Sequence, residues 1–259
     1  MYSAFSKIDF TDALAVWRRN FRVYLRLWKT ELIAPVIEPI FTFLAFGFGV
    51  GALITSRIDG MSYLSFVGAG VLAFTVLMRV VFEMTYSAYF RMVYQSTYDA
   101  ILATPVNAES LAFGEILWAV SKGIFDCVFI IPLVIIFGSA VSPLTPLSVL
   151  PLTLGCFFLS GLALTLTARI YEINHFNIFF ALFFSTIFLC GAWFPIELLP
   201  VWLQYIAYLL PTTSTIDLTR AFLTGIFAPR HIWETIYLFL ISLFFVECAL
   251  RNLRKRMVV

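Results

Sequence analysis

The sequence predicts an all-α polytopic membrane protein with about six transmembrane helices, an N-terminal amphipathic interface helix and an extracellular re-entrant helical hairpin before the last span. Three observations carry this. Of the 259 residues, 61% are hydrophobic and 12% charged, where a soluble domain is roughly a quarter charged. Apolar runs long enough to cross a bilayer recur along the chain. One late apolar stretch is cut by three prolines. A water-soluble core has no room for so much apolar surface, whereas lipid solvates it once every backbone polar group is satisfied inside a helix. The 29 Phe then need no ligand to explain them.

Residues 1–31 form the first predicted unit. Leu14, Trp17, Phe21, Leu25 and Trp28 recur at helical spacing, with Arg18, Arg22, Arg26 and Lys29 opposite them and Arg19 beside. This reads as a helix at the cytoplasmic membrane surface, its aromatic side in the headgroup boundary and its arginines toward lipid phosphates and cytosol. An ordinary soluble surface helix is the alternative. The first apolar run begins near Leu32, after a charged and aromatic segment, so no cleavable signal is expected.

Residues 32–250 form the membrane unit. Its spans are expected at Leu32–Ile54, Tyr63–Phe82, Leu111–Phe137, Leu147–Ala168, Asn174–Ala192 and Ile232–Leu250; most suffice for a hydrocarbon core of about 30 Å, and the fifth is short. Between the last two, residues 193–224 are broken by Pro195, Pro200 and Pro211. Short helices at Leu198–Leu210 and Thr215–Thr224 would make a re-entrant hairpin, tolerated at membrane depth only when packed against protein; an irregular loop is the other reading. Residues 251–259 form a basic cytoplasmic tail.

Orientation follows from the cations. With the amino terminus inside, Lys7, Arg18, Arg19, Arg22, Arg26, Lys29, Arg91, Arg169, Arg251, Arg254, Lys255 and Arg256 lie in the cytoplasm, against Arg57, Arg220 and Arg230 outside. That asymmetry places both termini in the cytosol.

Several functions are disfavoured. The net charge of +2 is too small to suggest nucleic acid. Cys127, Cys156, Cys190 and Cys248 lie in separate apolar runs, as small hydrophobes do, and His175 and His231 stand singly, so no metal site is expected. Lys7, Lys29, Lys122 and Lys255 follow Ser6, Trp28, Ser121 and Arg254, never the glycine of a P-loop. No cofactor is therefore expected in this chain.

Charges inside the spans are more informative, because each costs several kcal/mol unless paired or hydrated. Glu115, Lys122 and Asp126 project from one side of the third span, with Lys122 and Asp126 spaced to pair at i, i+4. Glu38 and Arg79 sit at similar depth and are expected to pair. Clasps that fix helix register and a polar lining of a substrate path are both open. A short, partly helical stretch from Arg91 to Pro105, with Gln95, Thr97, Tyr98, Asp99, Leu102 and Thr104, projects between two spans, and a partner that moved it would tilt both attached helices.

Together these pieces resemble the type-2 ABC transporter permeases. The match is strongest at Gly191, Phe194-Pro195, Leu199-Pro200, Leu210-Pro211 and Asp217-Leu218-Thr219-Arg220, spaced as around that family's extracellular re-entrant helices. Ala15-Val16-Trp17-Arg18-Arg19-Asn20, Glu38-Pro39, Gln95 with Thr97 to Leu102, Gly114-Glu115 and Trp118 resemble its nodulation-factor exporting branch. The resemblance implies a homodimer joined to two copies of a separate ATPase that binds ATP and Mg, in the bacterial inner membrane. Cargo would move outward between the two membrane subunits. Arg91 to Pro105 would be the coupling helix on the ATPase, and residues 191–220 would form an extracellular gate. A lipo-chitooligosaccharide-type glycolipid is the implied cargo, with multidrug and lipid export on the same scaffold as alternatives. An ion-coupled transporter relaying through Glu38, Arg79, Glu115, Lys122 and Asp126 is the rival reading; an enzyme would need a catalytic constellation that the sequence does not offer.

Overall fold

A computed structural model describes residues 4–54, 58, 61–139 and 142–258. Nine α-helices account for the described bundle, and they are not all alike in what they bury. Helix α1 (Phe10–Phe43) starts at an Asp9 cap whose carboxylate accepts from the amides of Thr11 and Asp12. It then runs unbroken through Pro35 and Pro39 into a π-helical turn at Leu44–Val50. The expected division at residue 31 between interface helix and first span is therefore absent: 34 residues make one rod of about 50 Å.

That rod lies alongside α4 (Ala108–Ile136) in the same direction. Asp9 N–H donates to Ser110 at 2.8 Å, Trp17 donates to Ser121 at 2.9 Å, and Phe43 stacks on Phe137. Close approach is possible because α4 carries Gly114, where a Cβ would stand 2.6 Å from the Ala13 carbonyl oxygen. The face that packs is Ala13, Val16 and Asn20, with Trp17, Phe21 and Tyr24 half-buried. Leu14, Leu25 and Trp28, expected toward the headgroup boundary, do not pack against the bundle and are exposed along with Arg18 and Arg22.

Helix α2 (Tyr63–Phe82) is the centre of the bundle, buried over most of its length. It does not end at Phe82 but continues as π-helical turns over Glu83–Ser87 and Phe90–Tyr94. The span expected to end at Phe82 therefore runs on for about three more turns. Short α3 (Thr97–Leu102) follows. Helix α5 (Val149–Thr167) is buried over most of its surface, and its Gly161 lets the backbone of α9 (Arg230–Met257) come so near that a Cβ would meet Phe245 carbonyl carbon at 2.6 Å.

Helix α6 (Phe176–Leu189) has 14 residues, about 21 Å, too short for a straight crossing of the hydrocarbon. The proline-punctuated segment gives α7 (Val201–Leu209) and α8 (Pro211–Thr224), with Pro211 at the first position of its helix, where a missing N–H costs nothing. Helix α8 is buried among α2, α5 and α9, as re-entry requires, while α7 lies largely exposed on the rim. The basic tail continues α9 to Met257. Arg57 lies outside the described residues.

Candidate functional site: a buried charge network behind a short protruding helix

Where α1, α2 and α4 meet, ionised side chains gather around the π-helical tail of α2. An α-helix would set Glu83 and Arg91 about 80° apart around the axis; the wider π turns bring them onto one side, as such turns do at functional sites. Arg91 donates to Glu83 at 2.8 Å and to Glu115 at 2.7 Å. Glu83 also receives Lys122 at 2.8 Å and the Trp118 indole at 3.1 Å. Asn20 donates to the second Glu115 oxygen at 3.0 Å and accepts from Arg19 at 2.9 Å, carrying the network onto α1.

Glu31 on α1 closes it. One of its oxygens accepts from both Arg79 and Lys122 at 2.8 Å, and Arg79 Nε faces Asp126 at 3.4 Å. The Lys122 ammonium lies 5.9 Å from the ring centres of Tyr24 and Trp118. Burial of Glu83, Glu115 and Asp126, with Glu31 half-buried beside them, is possible because Arg79, Arg91 and Lys122 supply three cations among the four. A cavity of about 440 Å³ opens beside these groups, lined by Arg19, Tyr24, Glu31, Glu83, Trp118 and Lys122 among others.

Two expected pairings are corrected. Arg79 pairs with Glu31 rather than Glu38, which is exposed. The two glutamates lie seven residues apart on nearly the same face, so depth alone separates them, and α1 sits deeper along its neighbours than a span beginning at Leu32 would. Lys122 does not clasp Asp126, because both turn to other helices. Glu31 and Glu83 join the network without a sequence motif to mark them, and Asn20, part of the Trp17-Arg18-Arg19-Asn20 word, supplies its link to α1. Glu83 stands four after Arg79, a helical spacing that signals a charge on the same face.

The α2 tail ends at Ser96, whose φ of +46° turns the chain sharply into α3. Tyr98 is wholly buried beneath α3, and burial beside the Glu115 charge pushes its phenol pKa up. Gln95, Asp99, Thr104 and Pro105 are exposed, with Thr97 and Leu102 half-buried, so these form the outward face. Arg91, expected on that face, instead belongs to the buried network. At the same end the chain is laced together: Asn107 donates to the Lys7 carbonyl at 2.9 Å, the Ala4 amide to Glu247 at 2.7 Å, and Arg254 to Glu109 at 3.1 Å.

At the opposite end Asp217 of α8 receives Arg230 at 2.9 Å, His231 at 3.5 Å and Arg220 at 3.6 Å. Arg220 also donates to the Gly191 carbonyl at 2.7 Å and stacks 3.9 Å over Phe66. Gly191 holds φ +69°, which favours glycine. Phe194 and Pro195 are half-buried and Pro200 exposed. A second cavity of about 440 Å³ lies beneath the hairpin. Asp217, His231 and Glu234 place ligand atoms within 4.8 Å of one another, but they do not fit a metal ion. The Ala228 amide donates to His231 Nδ1 at 3.0 Å, so neutral His231 carries its proton on Nε2, the atom that faces Asp217. Arg220 and Arg230 already pair with the Asp217 carboxylate.

Helices long and apolar enough to cross a membrane, with charges clasped between them and a short helix at one end, define a polytopic membrane protein. The chain belongs to the family described as ABC-2 type transporter, whose model matches residues 11–224. It is similar to Nodulation protein J of Bradyrhizobium diazoefficiens, 32% identical over 209 residues, 80% of this chain and 79% of that one. Nodulation protein J of Rhizobium leguminosarum bv. trifolii is 30% identical over 251 residues, 94% and 93% of the two chains. Inner membrane transport permease YadH of Escherichia coli (strain K12) is 25% identical over 225 residues, 82% of each. The chain is thus a multi-pass permease subunit of an ABC exporter, a class that works with a separate ATPase subunit.

Proposed function

We propose that two copies of this chain assemble with two copies of the ATPase and export an amphipathic glycolipid of the lipo-chitooligosaccharide type across the bacterial inner membrane, with both termini in the cytosol. The α3 helix seats on the ATPase through Gln95, Asp99, Thr104 and Pro105. ATP and Mg act on the partner. The observation that supports this best is Arg91: it stands at the root of α3 and binds Glu83 and Glu115, so displacement of α3 pulls on α4 and, through Asn20, on α1.

The test is copurification with the ATPase and reconstitution. Asp99→Arg should abolish ATP-dependent export and reduce ATPase binding while leaving the permease folded; unchanged binding and hydrolysis would remove α3 from the coupling role. Protease added to sealed right-side-out vesicles should spare both termini. Asp126 motivates a second reading: neither of its buried oxygens makes a hydrogen bond among the described residues. Export driven by a pH gradient without nucleotide would favour an ion-coupled carrier.

A further inference from the structure

We infer that α7 is an outer-rim membrane anchor, laid in the headgroup boundary of the leaflet on the hairpin side, while α8 alone re-enters the bundle. Val201, Trp202, Tyr205 and Leu209 share one helical stripe, each between 64% and 74% exposed, and Leu198 in the turn just before is 75% exposed. The flank of α7 beside that stripe makes its polar contacts within the hairpin, and Ala207 behind it is buried. Gln204 donates to the carbonyls of Leu199 at 2.8 Å and Glu197 at 3.2 Å, and the Tyr208 hydroxyl donates to Glu197 at 3.1 Å. An apolar, aromatic stripe of this length is not a surface for water.

Lipid is favoured as its occupant by continuity with the exposed face of the last span. Tyr237 donates to the Leu209 carbonyl at 2.6 Å, joining the end of α7 to α9. From there Ile232, Trp233, Ile236, Phe239, Leu240, Leu243 and Phe244 form an exposed apolar side along a membrane-crossing helix. Tyr237 lies seven residues after Arg230, about 10 Å along the axis, which is the depth at which interfacial helices lie. Trp202, Tyr205 and Trp233 then form part of an aromatic belt, with apolar rings and polar tips. At nine residues, about 14 Å, α7 cannot cross the hydrocarbon. The assignment holds whichever leaflet the hairpin faces and is independent of cargo.

The test uses the full-length protein in phosphatidylcholine nanodiscs. The difference in tryptophan fluorescence between wild type and Trp202→Phe isolates the Trp202 signal. Lipid brominated high on the acyl chain should quench that signal at least about twofold more than lipid brominated near the chain end, as interfacial depth requires. Stronger quenching by the deep label would mean that α7 dives with α8, and no quenching would mean that water or protein covers it; either overturns the proposal. Should Trp202→Phe fail to fold, a nitroxide at Tyr205→Cys replaces it, read against the unlabelled-site background of the wild type. Greater access to oxygen than to a water-soluble nickel chelate supports the anchor. The reverse preference, or crosslinking of Tyr205→Cys to a second copy, refutes it.

Discussion

Arg91→Ala tests the buried network at its most connected point. The substitution deletes two charge-assisted hydrogen bonds and leaves two carboxylates in the bundle. They are not left equally. Glu83 keeps Lys122 and the Trp118 indole, whereas Glu115 keeps, among the described residues, only Asn20, a neutral donor. Removing one member of a buried ion pair costs about 3–5 kcal/mol, mostly through the stranded charge. The loss should therefore be recovered largely by neutralising Glu115, and only weakly by neutralising Glu83. Stability measured by denaturant unfolding in mild detergent should fall by about 3–5 kcal/mol for Arg91→Ala. It should return to within about 1–2 kcal/mol of wild type in Arg91→Met with Glu115→Gln, since replacing both partners by groups of similar shape is nearly neutral. The coupling energy between positions 91 and 115, read from the cycle of Arg91→Met, Glu115→Gln and their double mutant, should exceed about 1 kcal/mol. A loss below about 1 kcal/mol for Arg91→Ala, or additivity of the two substitutions, would refute the idea that Arg91 holds α4 to the root of α3.

The corrected pairing gives a contrast in one heptad: Glu31→Gln should destabilise by about 1–3 kcal/mol, because Arg79 and Lys122 both lose a charged partner, while Glu38→Gln stays within about 0.5 kcal/mol. Tyr98→Phe should be neutral or slightly stabilising, since its buried hydroxyl meets no hydrogen-bond partner among the described residues, whereas Tyr98→Ala should cost about 3–5 kcal/mol through the cavity it leaves under α3. Gly114→Ala should cost about 1–3 kcal/mol and loosen α1 from α4, because the new methyl meets backbone rather than a movable side chain; crosslinking between Trp17→Cys and Ser121→Cys should report the separation. Hydrogen bonds from the side chain and amide of Thr11 and the amide of Asp12 hold the Asp9 carboxyl below its ordinary range. Its cap is thus fully present above that range and is lost as pH falls through the depressed value; amide exchange at Thr11 and Asp12 should accelerate only there, and Asp9→Ala should abolish the dependence.

Much of the bundle is legible because lipid leaves the sequence few choices: a long apolar run must be helical, and prolines must fall at helix ends or be absorbed within the membrane. Pro200 and Pro211 mark the hairpin to within a few residues for that reason, and the shortness of the fifth run reappears as the shortness of α6. What stays hidden is depth. A charged, aromatic segment ahead of the apolar run at Leu32 reads as a surface helix separate from the first span, yet α1 passes straight through that point and through Pro35 and Pro39, because Gly114 and the Glu31 contacts hold it against α4. Once α1 is displaced along its axis, its partners change by two turns, and Glu38 gives way to Glu31. The π turns after Phe82 are likewise invisible to a count based on 3.6 residues per turn, so Arg91 reads as a residue of the protruding loop although it points inward.

Helix α9 is held at both extremities. Arg230 and His231 grip Asp217 at one, while Glu247 and Arg254 grip the Ala4 amide and Glu109 at the other. Its 28 residues form a strut of about 42 Å without an internal proline or π turn. Such a strut has no joint at which a tilt can be absorbed, so a rocking of α8 at the roof must reappear as a swing of the chain termini at the far side of the membrane.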